Sequence, residues 1–166
     1  MTNVSVFSGK LLGLGQDSGI TTFMSVELRP HHLLCLLTYL GKGYTPAFVE
    51  NYERVVTRLN AGETITIVSG PDEICHPMLN DPSCHCRNES VAIRDQQALA
   101  AVLTCLRLEA ITEPFVLAQD DVLRLRRAFQ NGDLRAACQG CEWELLCSRI
   151  AKNDFRGCRL QPPPKE

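Results

Sequence analysis

Hydrophobic residues recur at helical spacing through most of the chain after residue 24. The clearest case follows Thr45, which suits a helix N-cap, with Pro46 at the first helical position. This helix is predicted to run to about Asn60, and its apolar face comprises Phe48, Tyr52, Val55, Val56 and Leu59. The same period predicts helices over about residues 30–40, 90–106 and 119–130, and a last helical region that includes Cys138–Cys147 and ends by Asn153.

A short strand is predicted at Thr64–Val68, because its residues alternate and are mostly β-branched. Phe115–Leu117 is a second apolar run, and we expect it to pair with that strand. Between these segments, Glu73–Asn88 contains Pro, Asn, Cys and His but lacks a hydrophobic period, so it is predicted to be a loop. These elements together predict a mainly α fold with a minor β pairing (α+β), in a single compact domain.

Composition divides the chain into three parts. Residues 1–23 are rich in Gly, Ser and Thr and have no sustained period, which predicts a flexible N-terminal extension. Residues 24–158 carry all of the predicted elements and are expected to form a metal-binding domain. Residues 159–166 include three consecutive prolines and are predicted to be a loose, extended tail.

Length and charge exclude several classes of protein. A chain of 166 residues suits one domain, and its formal net charge of −2 provides no basic field for nucleic acid or anionic membrane. The longest apolar stretch, Leu33–Leu40, is much shorter than the ~20 residues of a membrane-spanning helix. The N-terminus lacks the pattern of a secretory signal. We therefore expect a cytoplasmic protein, and the sequence does not indicate its oligomeric state.

The nine cysteines carry the strongest chemical signal. In a reducing compartment they favour metal binding or redox chemistry over disulfides. Cys138, Cys141 and Cys147 form a C-x2-C-x5-C motif. Two thiolates three residues apart in a turn can bind one metal centre, and Gly140 eases the tight backbone between them. A third thiol can return to the same centre after about one helical turn.

A thiolate site needs four ligands, and the predicted loop can supply the rest. Cys75 and Cys86 flank this loop, and we predict that they complete the site with the three motif cysteines. Cys84 would face with Cys86 in an extended stretch, and His76 and His85 are alternative ligands. The resulting centre would staple the middle loop to the C-terminal helical region. The spacing alone leaves zinc and an iron–sulfur cluster equally open.

Two adjacent histidines open the first predicted helix. His31 and Cys35 are four residues apart and share a face, and His32 lies three residues from Cys35. These three residues are candidates for a pair beside the metal centre, a proton relay, or a nucleophile with its base. The alternative is a capping histidine with a buried thiol, and the sequence identifies no acidic third member.

Several motifs together resemble a family of small bacterial and archaeal proteins of unknown function. They are the RPHHLLC signature Arg29–Cys35, Gly41–Tyr44, Phe48–Asn51, Asp72–Cys75 and the start of the C-x2-C-x5-C motif, Cys138–Trp143. The resemblance covers about residues 26–157, and the family is suspected of binding an iron–sulfur cluster. It implies that the cluster ligands are Cys75, Cys86, Cys138, Cys141 and Cys147.

The resemblance therefore favours an iron–sulfur cluster over zinc, and we favour a 4Fe–4S over a 2Fe–2S cluster. The expected function is redox or electron-transfer related, with an unidentified redox partner. One alternative is a zinc-stabilised binding module. Another is an enzyme that uses His31, His32 and Cys35 beside the metal centre.

Overall fold

Five α-helices and two short strands follow one another through residues 24–165, the part of the chain that the computed structural model describes. In chain order these are β1 (Val26–Leu28), α1 (Pro30–Leu37), α2 (Pro46–Asn60), β2 (Ile65–Ile67), α3 (Glu89–Leu106), α4 (Gln119–Asn131) and α5 (Glu144–Lys152), with 3₁₀ turns at His76–Met78 and Ala136–Cys138. The predicted mainly α fold with a minor β pairing is confirmed. The predicted extension at residues 1–23 lies outside the described residues.

The small sheet pairs β1 with β2 in parallel, with Val26 opposite Ile65. Phe115, which we predicted to pair with this strand, forms an isolated antiparallel bridge to Ile65, with N–O distances of 2.7 and 3.0 Å. The pairing at Phe115 is confirmed, but the main partner of β2 is β1. Three residues are too few to reveal the alternation by which a strand is predicted, so the sequence did not indicate β1.

Helix α2 forms as its sequence predicts. The side-chain oxygen of Thr45 accepts a hydrogen bond from the backbone N–H of Phe48, at 3.1 Å, and Pro46 begins the helix. The predicted inward face is buried along its whole length, at Phe48, Tyr52, Val55, Val56 and Leu59. This buried face anchors α2 beside the 3₁₀ turn of the middle loop.

Helix α1 lies at the centre of the hydrophobic core. Its leucines are no more than 2% exposed at Leu33, Leu34, Leu36 and Leu37, and the helix contacts α3 and α4. It ends at Leu37, earlier than the predicted Leu40. Because α1 is held on several sides, the residues in its first turns occupy defined positions. No helix within residues 24–165 combines the length and apolar character needed to cross a membrane.

The C-terminal tail that the sequence predicts to be loose instead packs on the domain. Leu160 is fully buried, and the N–H of Arg159 donates to the carbonyl of Tyr39 at 2.9 Å. The N–H of Gln161 donates to the Asn60 side chain at 2.7 Å. A single leucine among polar and proline residues shows no period, so only the packed structure reveals that this segment is an integral part of the core.

Candidate metal centre

Seven of the nine cysteines line one cavity of about 350 Å³. They are Cys35, Cys75, Cys84, Cys86, Cys138, Cys141 and Cys147. This set includes all five predicted metal ligands, and His31 and His32 line the same cavity. All of these thiols are free. The structure therefore brings the predicted cysteines, His31, His32 and the alternative ligand His85 to one cavity, whereas the alternative ligand His76 is exposed outside it.

Four of the thiols form one group, which we call the four-thiol group: Cys35, Cys138, Cys141 and Cys147. Burial raises the pKa of the Cys35 thiol well above its usual range, and negative charge on the other three members raises it further. All four of these thiols line the same cavity. Cys35 is therefore grouped with the three cysteines of the C-x2-C-x5-C motif, whereas its helical spacing had grouped it with His31 and His32.

A turn and a helix start hold the motif cysteines. Gly140 has a positive φ of 71°, which lets the chain turn so that the N–H of Cys141 donates to the carbonyl of Cys138 at 3.0 Å. The N–H of Cys147 donates to the carbonyl of Trp143 at 2.9 Å, in the first turn of α5. The turn and the start of the helix hold the three cysteines of the motif at one cavity.

The other three cavity thiols, Cys75, Cys84 and Cys86, form a second group, which we call the loop thiol group. Burial raises the pKa of the Cys86 thiol, neighbouring Cys84 raises it further, and a hydrogen bond with Cys75 lowers it. The predicted ligands Cys75 and Cys86 therefore share the cavity with the motif cysteines, but their closest thiol neighbours are within their own loop.

Asp72 and Arg29 fix this loop. The Oδ1 atom of Asp72 accepts hydrogen bonds from the N–H groups of Ile74 and Cys75, at 3.0 and 3.1 Å. Arg29 Nη1 donates to the carbonyl of Cys86 at 2.8 Å. An Asp side chain that accepts hydrogen bonds from the backbone N–H groups that follow it forms a local turn. Asp72 therefore fixes the backbone conformation at Cys75.

Each of the two histidines contacts its own buried carboxylate. His31 Nδ1 lies 2.6 Å from Asp95 Oδ1, and His32 Nδ1 lies 2.6 Å from Asp72 Oδ2. The two rings are 4.4 Å apart. No residue between 24 and 165 offers a hydrogen-bond partner to the Nε2 atom of either histidine. Both side chains are thus held through Nδ1, and Nε2 is the nitrogen available for further chemistry.

The charges of this cluster follow from its burial. Burial lowers the pKa of His31 to about 4, so the ring is neutral at pH 7. Burial acts to raise the pKa of Asp95, but hydrogen bonds from His31 and Arg29 lower it to about 2. The neutral His31 ring therefore donates its Nδ1 proton to a charged carboxylate, and its Nε2 atom carries a lone pair.

The acidic partners of the histidines are far from them in sequence. Asp95 lies 64 residues from His31, and Asp72 lies 40 residues from His32. A signal was nevertheless present in α3, because Asp95 falls in the buried row that contains Val91. A carboxylate on an apolar helix face needs a partner, and that partner can be far away in sequence.

The closest set of potential ligand atoms involves one of these pairs. Among the residues that the structure describes, only His32, Asp72 and Cys75 form a group of three candidate ligands whose ligand atoms all lie within 4.8 Å of one another. Cysteine and histidine are ligands that zinc and other transition metals accept. The cysteine-rich cavity thus contains a possible His/Asp/Cys metal site.

Comparison with known families supports an assignment of the chain. A family described as "Protein of unknown function (DUF1284)" matches residues 43–147, which is more than half of the chain. The chain belongs to this family. The DUF1284 match includes the middle loop and the C-x2-C-x5-C motif, and it begins after the Arg29–Cys35 signature. No curated protein and no solved structure matches the chain.

Proposed function

We propose that this protein binds an iron–sulfur cluster through the four-thiol group and takes part in redox or electron-transfer chemistry. The observation that carries the proposal is the gathering of Cys35 with Cys138, Cys141 and Cys147 on one cavity wall. Iron–sulfur clusters are held by four cysteine thiolates, which is the number this group supplies. A 4Fe–4S cluster is the form we favour.

The buried hydroxyl of Tyr52 also fits a cluster. Tyr52 lines the cavity, and its hydroxyl has no hydrogen-bond partner within residues 24–165. Burial raises the pKa of Tyr52, and negative charge on Cys35, which lines the same cavity, raises it further. Buried hydroxyls nearly always have an acceptor, and the sulfur atoms of a cluster would provide one.

Aromatic side chains cover the same region. The Tyr44 ring packs edge-to-face on Trp143 at 5.4 Å and on Phe48 at 5.3 Å. Tyr44 and Trp143 both line the cavity, and they precede α2 and α5 in the chain. Such packing limits the access of water, and solvent exposure is one of the factors that set the potential of a cluster.

Anaerobic purification of the full chain from an iron-replete host tests the proposal. We expect iron and sulfide in equal amounts and a broad visible absorption that reduction bleaches. Cys35→Ser and Cys138→Ser should lose the iron and the absorption, whereas Cys105→Ser, outside the cavity, should keep both. A colourless, iron-free wild-type protein would contradict the proposal. If Cys35→Ser kept its full iron content and Cys75→Ser lost it, the fourth ligand would be Cys75 of the middle loop and not Cys35.

A zinc-stabilised binding module is a second candidate function. The compact group of His32, Asp72 and Cys75 favours it, because ligand atoms within 4.8 Å can close on one ion. This candidate predicts stoichiometric zinc and no visible absorption in the purified protein.

An enzyme that uses His31, His32 and Cys35 is a third candidate. It requires that the three side chains converge on a cavity, and all three line the same one. The carboxylates of Asp95 and Asp72 would hold the rings in position for proton transfer at Nε2. Incubation of the purified protein with a panel of small thiol-reactive and hydrolysable substrates, compared with His31→Gln, tests this candidate.

A further inference from the structure

Part of the cavity wall has no role in the proposed cluster. His31, His32 and the three cysteines of the loop thiol group line the cavity, but none of them belongs to the four-thiol group. They are two imidazoles and three thiols, which are the ligand types that transition metals prefer. These side chains are therefore candidates for a separate metal site.

The histidines are prepared for metal binding through Nε2. A histidine that binds a metal almost always donates its other ring N–H to a carboxylate or carbonyl, which fixes the tautomer and the ring orientation. Both His31 and His32 have this arrangement, with Nδ1 2.6 Å from Asp95 and Asp72 respectively. The carboxylates do not depend on the histidines for partners, because each of them also accepts hydrogen bonds from Arg29.

One thiol lies close to His32, and a second lines the same cavity. Cys75 belongs to the group in which His32, Asp72 and Cys75 have ligand atoms within 4.8 Å of one another. Cys86 lines the same cavity, and its carbonyl accepts a hydrogen bond from Arg29, which also donates to both carboxylates. Cys75 is almost fully buried, so its thiol is held in place by the surrounding loop.

Arg29 connects all of these parts in one buried network. Its Nε and Nη2 atoms donate to Asp95, its Nη1 atom donates to the carbonyl of Cys86, and its backbone N–H donates to Asp72. The side chain is only 2% exposed. Because one rigid guanidinium joins both histidine–carboxylate pairs to the loop, the ligands are positioned before any metal arrives.

We propose that the cavity contains a second metal site, in which a zinc ion is bound by Nε2 of His31, Nε2 of His32 and the thiolates of Cys75 and Cys86. Two imidazoles and two thiolates are an established tetrahedral set for zinc. Two thiolate charges balance the charge of the ion, which lowers the cost of burying it. The site shares no ligand with the proposed cluster and does not depend on it.

Zinc added alone to the full-length protein, prepared anaerobically and treated with a chelating resin, tests this site. We expect one tightly bound zinc per chain. Its X-ray absorption spectrum should show nitrogen neighbours at about 2.0 Å and sulfur neighbours at about 2.3 Å. Absence of tight zinc binding would overturn the proposal. A shell of sulfur alone would also overturn it, because that shell would place zinc in the four-thiol group.

Variants separate the two sites. His32→Gln and Cys75→Ser should weaken zinc binding at least about tenfold, the loss that even an outer-shell partner can cause, and should keep the iron content of the wild type. Cys138→Ser should show the opposite pattern. His76→Gln is the matched control, since this exposed histidine lies next to Cys75 outside the cavity wall. Unchanged zinc affinity in both His32→Gln and Cys75→Ser would overturn the site.

Far-UV circular dichroism, recorded with each titration, checks that every variant is folded. The X-ray absorption spectrum of the zinc-loaded wild-type protein tests the site without any variant. The two proposals fail in different ways. If the cluster proposal is wrong, the purified protein will lack iron and sulfide. If the second site is wrong, zinc will not bind, or its first coordination shell will contain no nitrogen.

Discussion

Arg29 donates two hydrogen bonds to a single oxygen of Asp95 and leaves the other oxygen for His31. Nε and Nη2 of Arg29 lie 2.9 and 2.7 Å from Oδ2, while Nδ1 of His31 lies 2.6 Å from Oδ1. Asp95 can therefore neutralise the arginine and orient the histidine at the same time. This shared carboxylate joins α3 to the beginning of α1, where Arg29 and His31 line the cavity.

Removal of the arginine should be strongly destabilising. Arg29→Ala leaves the buried Asp95 carboxylate without its cation, and we expect the free energy of unfolding to fall by about 3–5 kcal/mol. Urea denaturation of the metal-free proteins measures the change. Arg54→Ala is the control, because Arg54 is exposed and contacts Glu50 and Asn51 on the surface, and it should lose at most about 1 kcal/mol. Equal, small losses in both variants would contradict the role of Arg29.

The Tyr52 hydroxyl should behave differently with and without a bound centre. In the metal-free protein, Tyr52→Phe removes a buried donor without a partner, so we expect stability to rise by about 1 kcal/mol. With the centre bound, that gain should disappear and the reduction potential of the centre should shift. Tyr39→Phe provides the comparison, because the Tyr39 hydroxyl donates to the carbonyl of Val49 and its loss should cost about 1 kcal/mol. A loss of stability in metal-free Tyr52→Phe would show that its hydroxyl has an acceptor within the protein.

The N-cap of α2 should contribute a measurable part of the stability. Thr45→Ala removes the acceptor for the Phe48 N–H, and we expect a loss of about 1 kcal/mol in chemical denaturation. Thr45→Ser retains the hydroxyl and should stay close to the wild type. If serine were as damaging as alanine, the hydrogen bond would not be the reason for the effect.

The C-terminal tail should be essential for stability rather than dispensable. Leu160→Ala leaves a cavity at a fully buried position, and we expect a loss of about 2–5 kcal/mol in denaturant unfolding. Gln161→Ala is the control, because this exposed neighbour binds Asn60 through its backbone N–H, and it should change stability by at most about 0.5 kcal/mol. A Leu160→Ala protein as stable as the wild type would restore the picture of a loose tail.

Removal of metal should lower the melting temperature. Metal bound by Cys35, by the middle loop and by the C-x2-C-x5-C motif joins parts of the chain that are distant in sequence, so its binding free energy adds to folding. We expect a chelator to lower the melting temperature of the wild type and of Cys105→Ser by a similar amount. Cys138→Ser should start lower and respond less. An unchanged melting temperature after complete metal removal would argue against a structural contribution from the centre.

The sequence by itself determined much of the local structure of this protein. The bounds of α2, its N-cap and its buried face were all predictable, because a helix side chain repeats on one face every three to four residues. The C-x2-C-x5-C motif was equally visible, since its three thiols are brought together by one turn and the start of one helix. These features depend only on residues that are near neighbours in the chain.

Only the tertiary structure decided which distant residues meet. The pairing of His31 with Asp95, of His32 with Asp72 and of β1 with β2 joins segments 39 or more residues apart. Cys35 and Cys147, which line one cavity, are farther apart still. Periodicity shows that a position such as Asp95 faces inward, but it does not show what lies opposite. That depends on how the helices pack around α1, so the candidate ligands were predictable while their grouping was not.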